Sequence, residues 1–291
     1  MLMRPREILS FLVHLRPHYQ IFILSGAFLA GAVFAGGIRA GFPLQFLSVH
    51  VLLFGGVTVY NSYWDRDTGP IGGLRRPPPL APWTLPASWL MQVAGLLLAF
   101  RVSPAMAAVF AASMLFFWLY SRPGIRWKGR PLLSLAAIAA STGFGGFLLG
   151  YLHGRPGSIS SAAIAGAAGT AAVIVSLFPL SQIYQVEEDL DRRDETFAAR
   201  YGVVGVRRAF VLLFPAGIAA LAAGFADLDP RLGALFLGVG SLAGLGVWAA
   251  IRGLEPSPLA YGRVMAVKYA ASGLFAAFLA VLLGMQALGW L

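Results

Sequence analysis

Nine apolar stretches of about 20 residues each, near 21–40, 42–62, 84–102, 104–121, 131–153, 160–184, 206–226, 231–251 and 266–289, leave this chain little choice of fold. A run of that length matches the thickness of a bilayer's hydrocarbon core. There every backbone polar group must be satisfied inside its own segment, which favours helices. Charged residues make up only 12% of the chain, against roughly 25% in soluble domains. The expectation is an all-α, polytopic membrane protein with nine transmembrane helices and one domain over 1–291. Residues 1–20 carry Arg4, Arg6 and Arg16 but no compact apolar core with a cleavage site, and read as an amphipathic lead-in.

Lysine and arginine then orient the bundle. With the N-terminus inside, 18 of the 22 basic residues fall in the lead-in and the loops after spans 2, 4, 6 and 8. Only Arg39, Arg101, Arg155 and Arg231 fall on the other side. The positive-inside rule places the N-terminus in the cytoplasm and the C-terminus outside, in the cell membrane. The net charge of +10 is thus a topology signal, and no nucleic-acid partner is expected. The absence of cysteine excludes thiolate nucleophiles and cysteine-ligated metals.

Acidic residues are scarce and gathered. Eight of the 12 sit in two knots that close apolar runs, Tyr60–Asp67 and Gln182–Thr196, and both knots belong on the cytoplasmic side. Asn61 and Asp65 are four residues apart, as are Gln185 and Asp189, which on a helix puts each pair on one face. Either knot alone is as well read as a solvated helix end; the matched pair is not. Asn61, Asp65, Asp67, Gln185, Glu188 and Asp189 form the candidate metal set. Hard oxygen donors with few carboxylates suit Mg²⁺, which fills its remaining positions with water and substrate phosphate.

The loop after span 4, Tyr120 to Arg130, is basic with aromatic residues interleaved. Two acidic helix ends, a basic loop and surrounding lipid suit an amphiphile with a diphosphate head and a hydrocarbon tail. Tyr120, Arg122, Arg126, Tyr63 and Arg66 are candidate substrate contacts, with Tyr60, Tyr63 and Trp64 as candidate aromatic faces for an allylic cation. His50, in span 2, reads as a packed polar residue. No acids lie mid-span, which disfavours a transporter.

These residues resemble the UbiA superfamily of intramembrane prenyltransferases over nearly the full chain. That family carries Asn-Asp-x-x-Asp-x-x-x-Asp after helix 2 and Asp-x-x-x-Asp after helix 6. Asn61 and Asp65 match the first motif and Asp189 the end of the second, while Ser62, Gly69 and Gln185 stand where the family has aspartates. Tyr120 and Lys128 resemble the tyrosine and lysine of the helix 4–5 loop, and Arg16-Pro17 the Arg-Pro before helix 1. The resemblance implies Mg²⁺-dependent transfer of a polyprenyl group from its diphosphate to a small aromatic or lipid-precursor acceptor, as in quinone biosynthesis. Asp65, Asp189 and Lys128 would carry the catalysis. Intramembrane terpene cyclisation and a degenerate lipid-binding or transport relative are the alternatives.

Overall fold

The computed structural model describes residues 4–291, so the first three positions of the lead-in lie outside the described residues. Among the described residues all regular structure is helical, apart from one antiparallel bridge between Ile71 and Leu74. Among the described residues, nine segments are long and apolar enough to cross a membrane: α1 (Pro5–Phe34), α2 (Phe42–Asp65), α3 (Thr84–Val102), α4 (Pro104–Ser121), α5 (Pro131–Gly154), α6 (Ser161–Ile183), α7 (Phe197–Leu228), α8 (Pro230–Ile251) and α9 (Pro258–Ala287). The protein is an integral membrane protein of all-α class.

Several segments differ from the expected bounds, three of the differences for clear local reasons. The lead-in is itself helical: Pro5 takes the first helical position and Glu7 accepts from the Arg4 backbone N–H, and the helix runs to Leu15. Arg16 then adopts a left-handed conformation (φ 51°), and the chain turns into the rest of α1. That segment ends at Phe34, short of residue 40, because Gly36 and Gly37 take φ of 91° and 115°. α7 opens early with a short helical turn from Phe197, capped by the Thr196 hydroxyl through the Ala199 N–H, and Gly202 (φ 62°, ψ −175°) breaks the chain there before the long helix of the span begins.

The bundle is drawn together by close crossings. A methyl group at Gly31 would meet the Phe147 carbonyl oxygen at 1.9 Å, and one at Gly150 would meet the Phe28 carbonyl oxygen at 1.9 Å. α1 and α5 can touch backbone to backbone only with hydrogen at these two positions, as is common where membrane helices pack. Around the crossing Phe34 packs edge-on against Phe147 and Phe225, both centroids 5.2 Å away. His50 is buried against Phe46, its ring 4.1 Å distant and its Nδ1 2.7 Å from the Phe46 carbonyl, so it is packed.

The lead-in and the α2–α3 loop brace the polar end. Ser10 donates to Pro79 O (2.7 Å) and His14 to Pro78 O (2.8 Å), while Ile8, Leu9 and Leu12 stay exposed on the opposite face. π-helical stretches at Gln20–Leu24 and Ala139–Phe144 interrupt α1 and α5. Such wide turns recur at functional sites, and here Ile23, Leu24 and Thr142 from them face an internal chamber.

Candidate active site

The chamber opens at the polar end, encloses about 210 Å³, and has Asn61, Asp65, Asp67, Tyr120, Lys128 and Gln185 in its wall. Ile23, Ile174, Leu177 and Ser272 also border a second cavity of about 190 Å³. That one is almost wholly apolar and is lined further on by Phe214, Phe236 and Phe278. A charged head compartment therefore adjoins a greasy one.

At the end of α2 the expected pair does share a face. Asn61 Nδ2 donates to Asp65 Oδ2 at 2.8 Å, and Ser121 Oγ donates to Asn61 Oδ1 at 2.8 Å. Asp65 is buried, with Lys128 Nζ 2.7 Å from its Oδ2 and Arg126 Nη1 2.9 Å from its Oδ1. Arg126 also donates bidentately to Asp194, at 2.7 and 2.6 Å, and takes a left-handed backbone (φ 40°) to do so. Burial opposes charge on Lys128, but Asp65 and Asp67 outweigh it and raise the ammonium's pKa above its usual range.

The second knot is built differently from the expected end of one long helix. α6 stops at Ile183, Gln185 leaves helical geometry (φ −111°, ψ 0°), and a separate short helix runs from Val186 to Asp191. The one-turn spacing survives, because Asp189 N donates to Gln185 O at 2.8 Å. Asp189 is buried and accepts from Thr196 Oγ1 at 3.0 Å. Burial lifts its pKa to about 7, with Asp194 and Asp65 adding to the rise and Lys128 and Thr196 opposing it.

Glu188 reaches across to the first knot. Its Oε1 accepts from Thr68 N at 2.9 Å and from Arg192 Nη2 at 2.6 Å, and Arg192 also pairs with Asp67. A Cβ on Gly69 would lie 2.8 Å from Glu188 Oε2. The space where the family's first motif would end in an aspartate is thus taken by a glutamate from the second knot. Glu187, by contrast, is exposed and turned away.

Several expected contacts fall elsewhere. Tyr63, inside α2, and Arg66, which ends α2 in a left-handed turn (φ 51°), line a different cavity, beside His14 and Pro77–Pro79. Arg122 is exposed at the end of α4. Tyr60 and Trp64 pack with each other, and Tyr60 also meets Trp89, outside the chamber. The aromatic walls are Tyr19, Phe117, Tyr120, Phe178 and Tyr184. Glu188 and Asp189 stand behind the wall formed by Asp65, Asp67 and Gln185. The sequence pattern passed over Asp194 and Arg192, which sit in the dense acidic run without the matched spacing. It also gave Lys268 no role beyond topology.

No three Asp, Glu or His side chains are gathered tightly enough to enclose a metal by themselves, among the described residues. The donor set still fits a divalent cation that shares its coordination with substrate. Asp65 Oδ1 is buried and accepts no well-aligned hydrogen bond, although Arg126 lies near it. Asp67 and Gln185 offer further oxygens to the same chamber. Mg²⁺ commonly takes only one or two protein carboxylates and completes its shell with phosphate and water.

A profile of the UbiA prenyltransferase family matches residues 21–263. The fold is similar to that of a UbiA homolog from Archaeoglobus fulgidus solved bound to DMAPP and Mg²⁺, with TM-score 0.69, 16% identity and coverage of 94% of this chain and 99% of that one. The same homolog bound to GPP and Mg²⁺ gives the same values. A digeranylgeranylglyceryl phosphate synthase is also similar, with TM-score 0.57, 15% identity and coverage of 97% of this chain and 96% of that one. No curated protein matches at the sequence level.

Proposed function

Because the chain belongs to the UbiA prenyltransferase family, we propose that it transfers a prenyl group from its diphosphate to an acceptor inside the membrane, with Mg²⁺ as cofactor and the polar end facing the cytoplasm. The observation that carries this reading is the join between the two cavities, which share Ile23, Ile174, Leu177 and Ser272. A diphosphate fits beside Asp65 and Lys128 while its hydrocarbon tail runs among Phe214, Phe236 and Phe278. The Archaeoglobus fulgidus homolog was solved bound to DMAPP and to GPP, molecules of that shape.

Asp65, Asp67 and Gln185 would hold the cation, with Glu188 and Asp189 behind them. Bound there, it would act as a Lewis acid that neutralises the leaving diphosphate. Lys128 supplies a compact positive charge to the same oxygens, in a compartment poor in water where such charges act strongly. Arg126 and Asp194 fix the loop that carries Lys128. Cleavage leaves the C–O electron pair on the diphosphate and an allylic cation at C1 of the tail. Tyr120 and Phe178 border the chamber with faces suited to that charge. The acceptor, an aromatic or lipid precursor, bonds to C1 and gives up a proton. Purified protein in nanodiscs, incubated with geranyl or geranylgeranyl diphosphate and a panel of aromatic and lipid-precursor acceptors, with and without Mg²⁺, provides the test by mass spectrometry. An acceptor adduct supports transfer; a cyclic hydrocarbon or no diphosphate release overturns it.

A further inference from the structure

The lead-in helix, residues 5–15, has two opposite faces. Glu7, Ser10, Phe11 and His14, spaced three and four apart, meet the α2–α3 loop. Ser10 and His14 donate to the Pro79 and Pro78 carbonyls, Glu7 accepts from Trp83 Nε1 at 3.2 Å, and Phe11 packs on the Trp83 ring at 5.2 Å. Just past the bend at Arg16, His18 adds a bond to Gly73 O at 3.0 Å. Pro5, Ile8, Leu9 and Leu12 form the other face at the same spacing, and all four are exposed, Leu9 by 62%. Arg4 and Arg6, exposed at the head of the helix, flank that apolar stripe.

The stripe lies at membrane depth. Thr58 Oγ1 donates to His14 O at 3.1 Å, and Thr58 stands two helical turns, about 10 Å, inside the polar end of α2 at Asp65. A Cβ on Gly55, deeper still, would touch Leu15 Cδ2 at 3.4 Å. The lead-in therefore slants from Trp83, at the head of α3, down the flank of a membrane span. Ile21 and Phe22 are exposed just beyond the bend, so apolar surface continues onto α1 itself. An apolar helix face edged by arginines suits the boundary of a leaflet, with acyl chains against the stripe and anionic phosphates at the guanidinium groups. We propose that the lead-in is a strap seated in the leaflet at the polar end, with Ile8, Leu9 and Leu12 among acyl chains and Arg4 and Arg6 on anionic phospholipid headgroups, and that it pins the α2–α3 loop over the chamber. Asp67, Ile71 and Gly72 of that loop line the chamber. Headgroup charge thus reaches the chamber wall through one helix, whichever reaction the chamber hosts.

The chain has no cysteine, so Leu9→Cys and Glu255→Cys each carry a single nitroxide label on the full-length protein. In phosphatidylcholine nanodiscs the label at position 9 should be relaxed by oxygen far more than by an aqueous nickel chelate. The label at position 255, in the exposed α8–α9 loop, should show the reverse. Free access of the chelate to position 9 overturns the seating. Shielding of position 9 from both relaxants overturns it too, and assigns the face to a protein partner or a second copy. Hydrogen exchange of the wild type, in phosphatidylcholine against discs of one-third phosphatidylglycerol, reads the headgroup contact. The lead-in amides and the paired amides of Ile71 and Leu74 should gain protection together in the anionic discs. The gain should be about fivefold for each arginine, equivalent to about 1 kcal/mol per basic residue at an anionic surface. Arg4→Gln/Arg6→Gln should erase it and leave protection in phosphatidylcholine unchanged. Equal wild-type protection in both lipids overturns the headgroup contact. Leu9→Glu should loosen the lead-in and the Ile71–Leu74 bridge together, and loosening of the lead-in alone overturns the strap. If Leu9→Glu does not fold, the wild-type lipid comparison decides: a lead-in that gains protection without the bridge overturns the strap.

Discussion

Lys128 Nζ lies 2.7 Å from Asp65 Oδ2, and both side chains are almost wholly buried. Sixty-three positions separate them in sequence. The expected ligand and the expected diphosphate-binding lysine are therefore partners before any substrate arrives, so each is a structural element as well as a candidate catalytic one.

That pairing changes what Asp65→Asn should do. A carboxylate at a helix end would normally be free to mutate, but here its loss leaves a buried ammonium with only the longer contact to Asp194, at 3.6 Å. Removing one member of a buried pair costs about 3–5 kcal/mol. The low end applies, because Lys128 and Arg126 both retain Asp194. We expect a clearly lowered unfolding midpoint in detergent along with lost turnover. The double variant Asp65→Asn/Lys128→Met should recover part of the stability and none of the activity.

Arg126 and Asp194 form the bidentate clamp on the loop between α4 and α5. A planar fork cannot be replaced by a point charge without losing one of its bonds. Arg126→Lys should therefore lower activity nearly as much as Asp194→Asn. The two together should add little, leaving a coupling of about 1–3 kcal/mol in a double-mutant cycle. Additive effects would separate the clamp from the position of Lys128.

The nine spans were legible because hydropathy alone specifies them, and Asn61, Asp65, Lys128 and Tyr120 because one helix turn or one loop brings them to a common place. Arg192, Asp194 and Lys268 were not legible in this way. Their roles depend on which remote chain segment each meets: the loop at Asp67, the guanidinium of Arg126, and Tyr19 at the opposite end of the sequence. Spacing within one helix carries no record of such meetings. Arg66 lies at a different cavity for a local reason, since its left-handed turn redirects the chain just past Asp65, and Tyr63 borders that cavity from within α2.

Asp189 gives a pH signature with a definite sign. Its folded pKa of about 7 exceeds the usual 3.8, so the folded protein holds a proton that the unfolded chain has released. The stability it contributes is full below pH 3.8, falls through the interval, and is gone above pH 7. At about 1.4 kcal/mol per unit the span is at most about 4 kcal/mol. Mg²⁺-free unfolding midpoints measured between pH 4 and 8 should decline for wild type and be flatter for Asp189→Asn. If Asp189 also serves the cation, apparent Mg²⁺ affinity should rise up to tenfold per unit below pH 7 and level off above it, and that slope should vanish in Asp189→Asn. A slope that persists would assign the proton to another group.

The substituted motif positions give the last test. Ser62 accepts a hydrogen bond from Arg16 at 2.7 Å and does not line the chamber, whereas Gln185 does line it. A carboxylate introduced by Ser62→Asp would therefore meet the unpaired guanidinium and leave the cation's donors as they are. Gln185→Asp would add charge beside Asp65 and Asp67. The two changes should then separate. Gln185→Asp should lower the Mg²⁺ needed for half-maximal rate, by roughly tenfold for one ionic contact worth about 1.4 kcal/mol. Ser62→Asp should leave that requirement within about twofold and raise the unfolding midpoint, since it supplies Arg16 with a counter-charge. A Mg²⁺ titration of turnover for both variants, run alongside thermal unfolding, decides the matter. If Ser62→Asp alone lowers the Mg²⁺ requirement, residue 62 belongs to the cation's donors and Arg16 does not hold it.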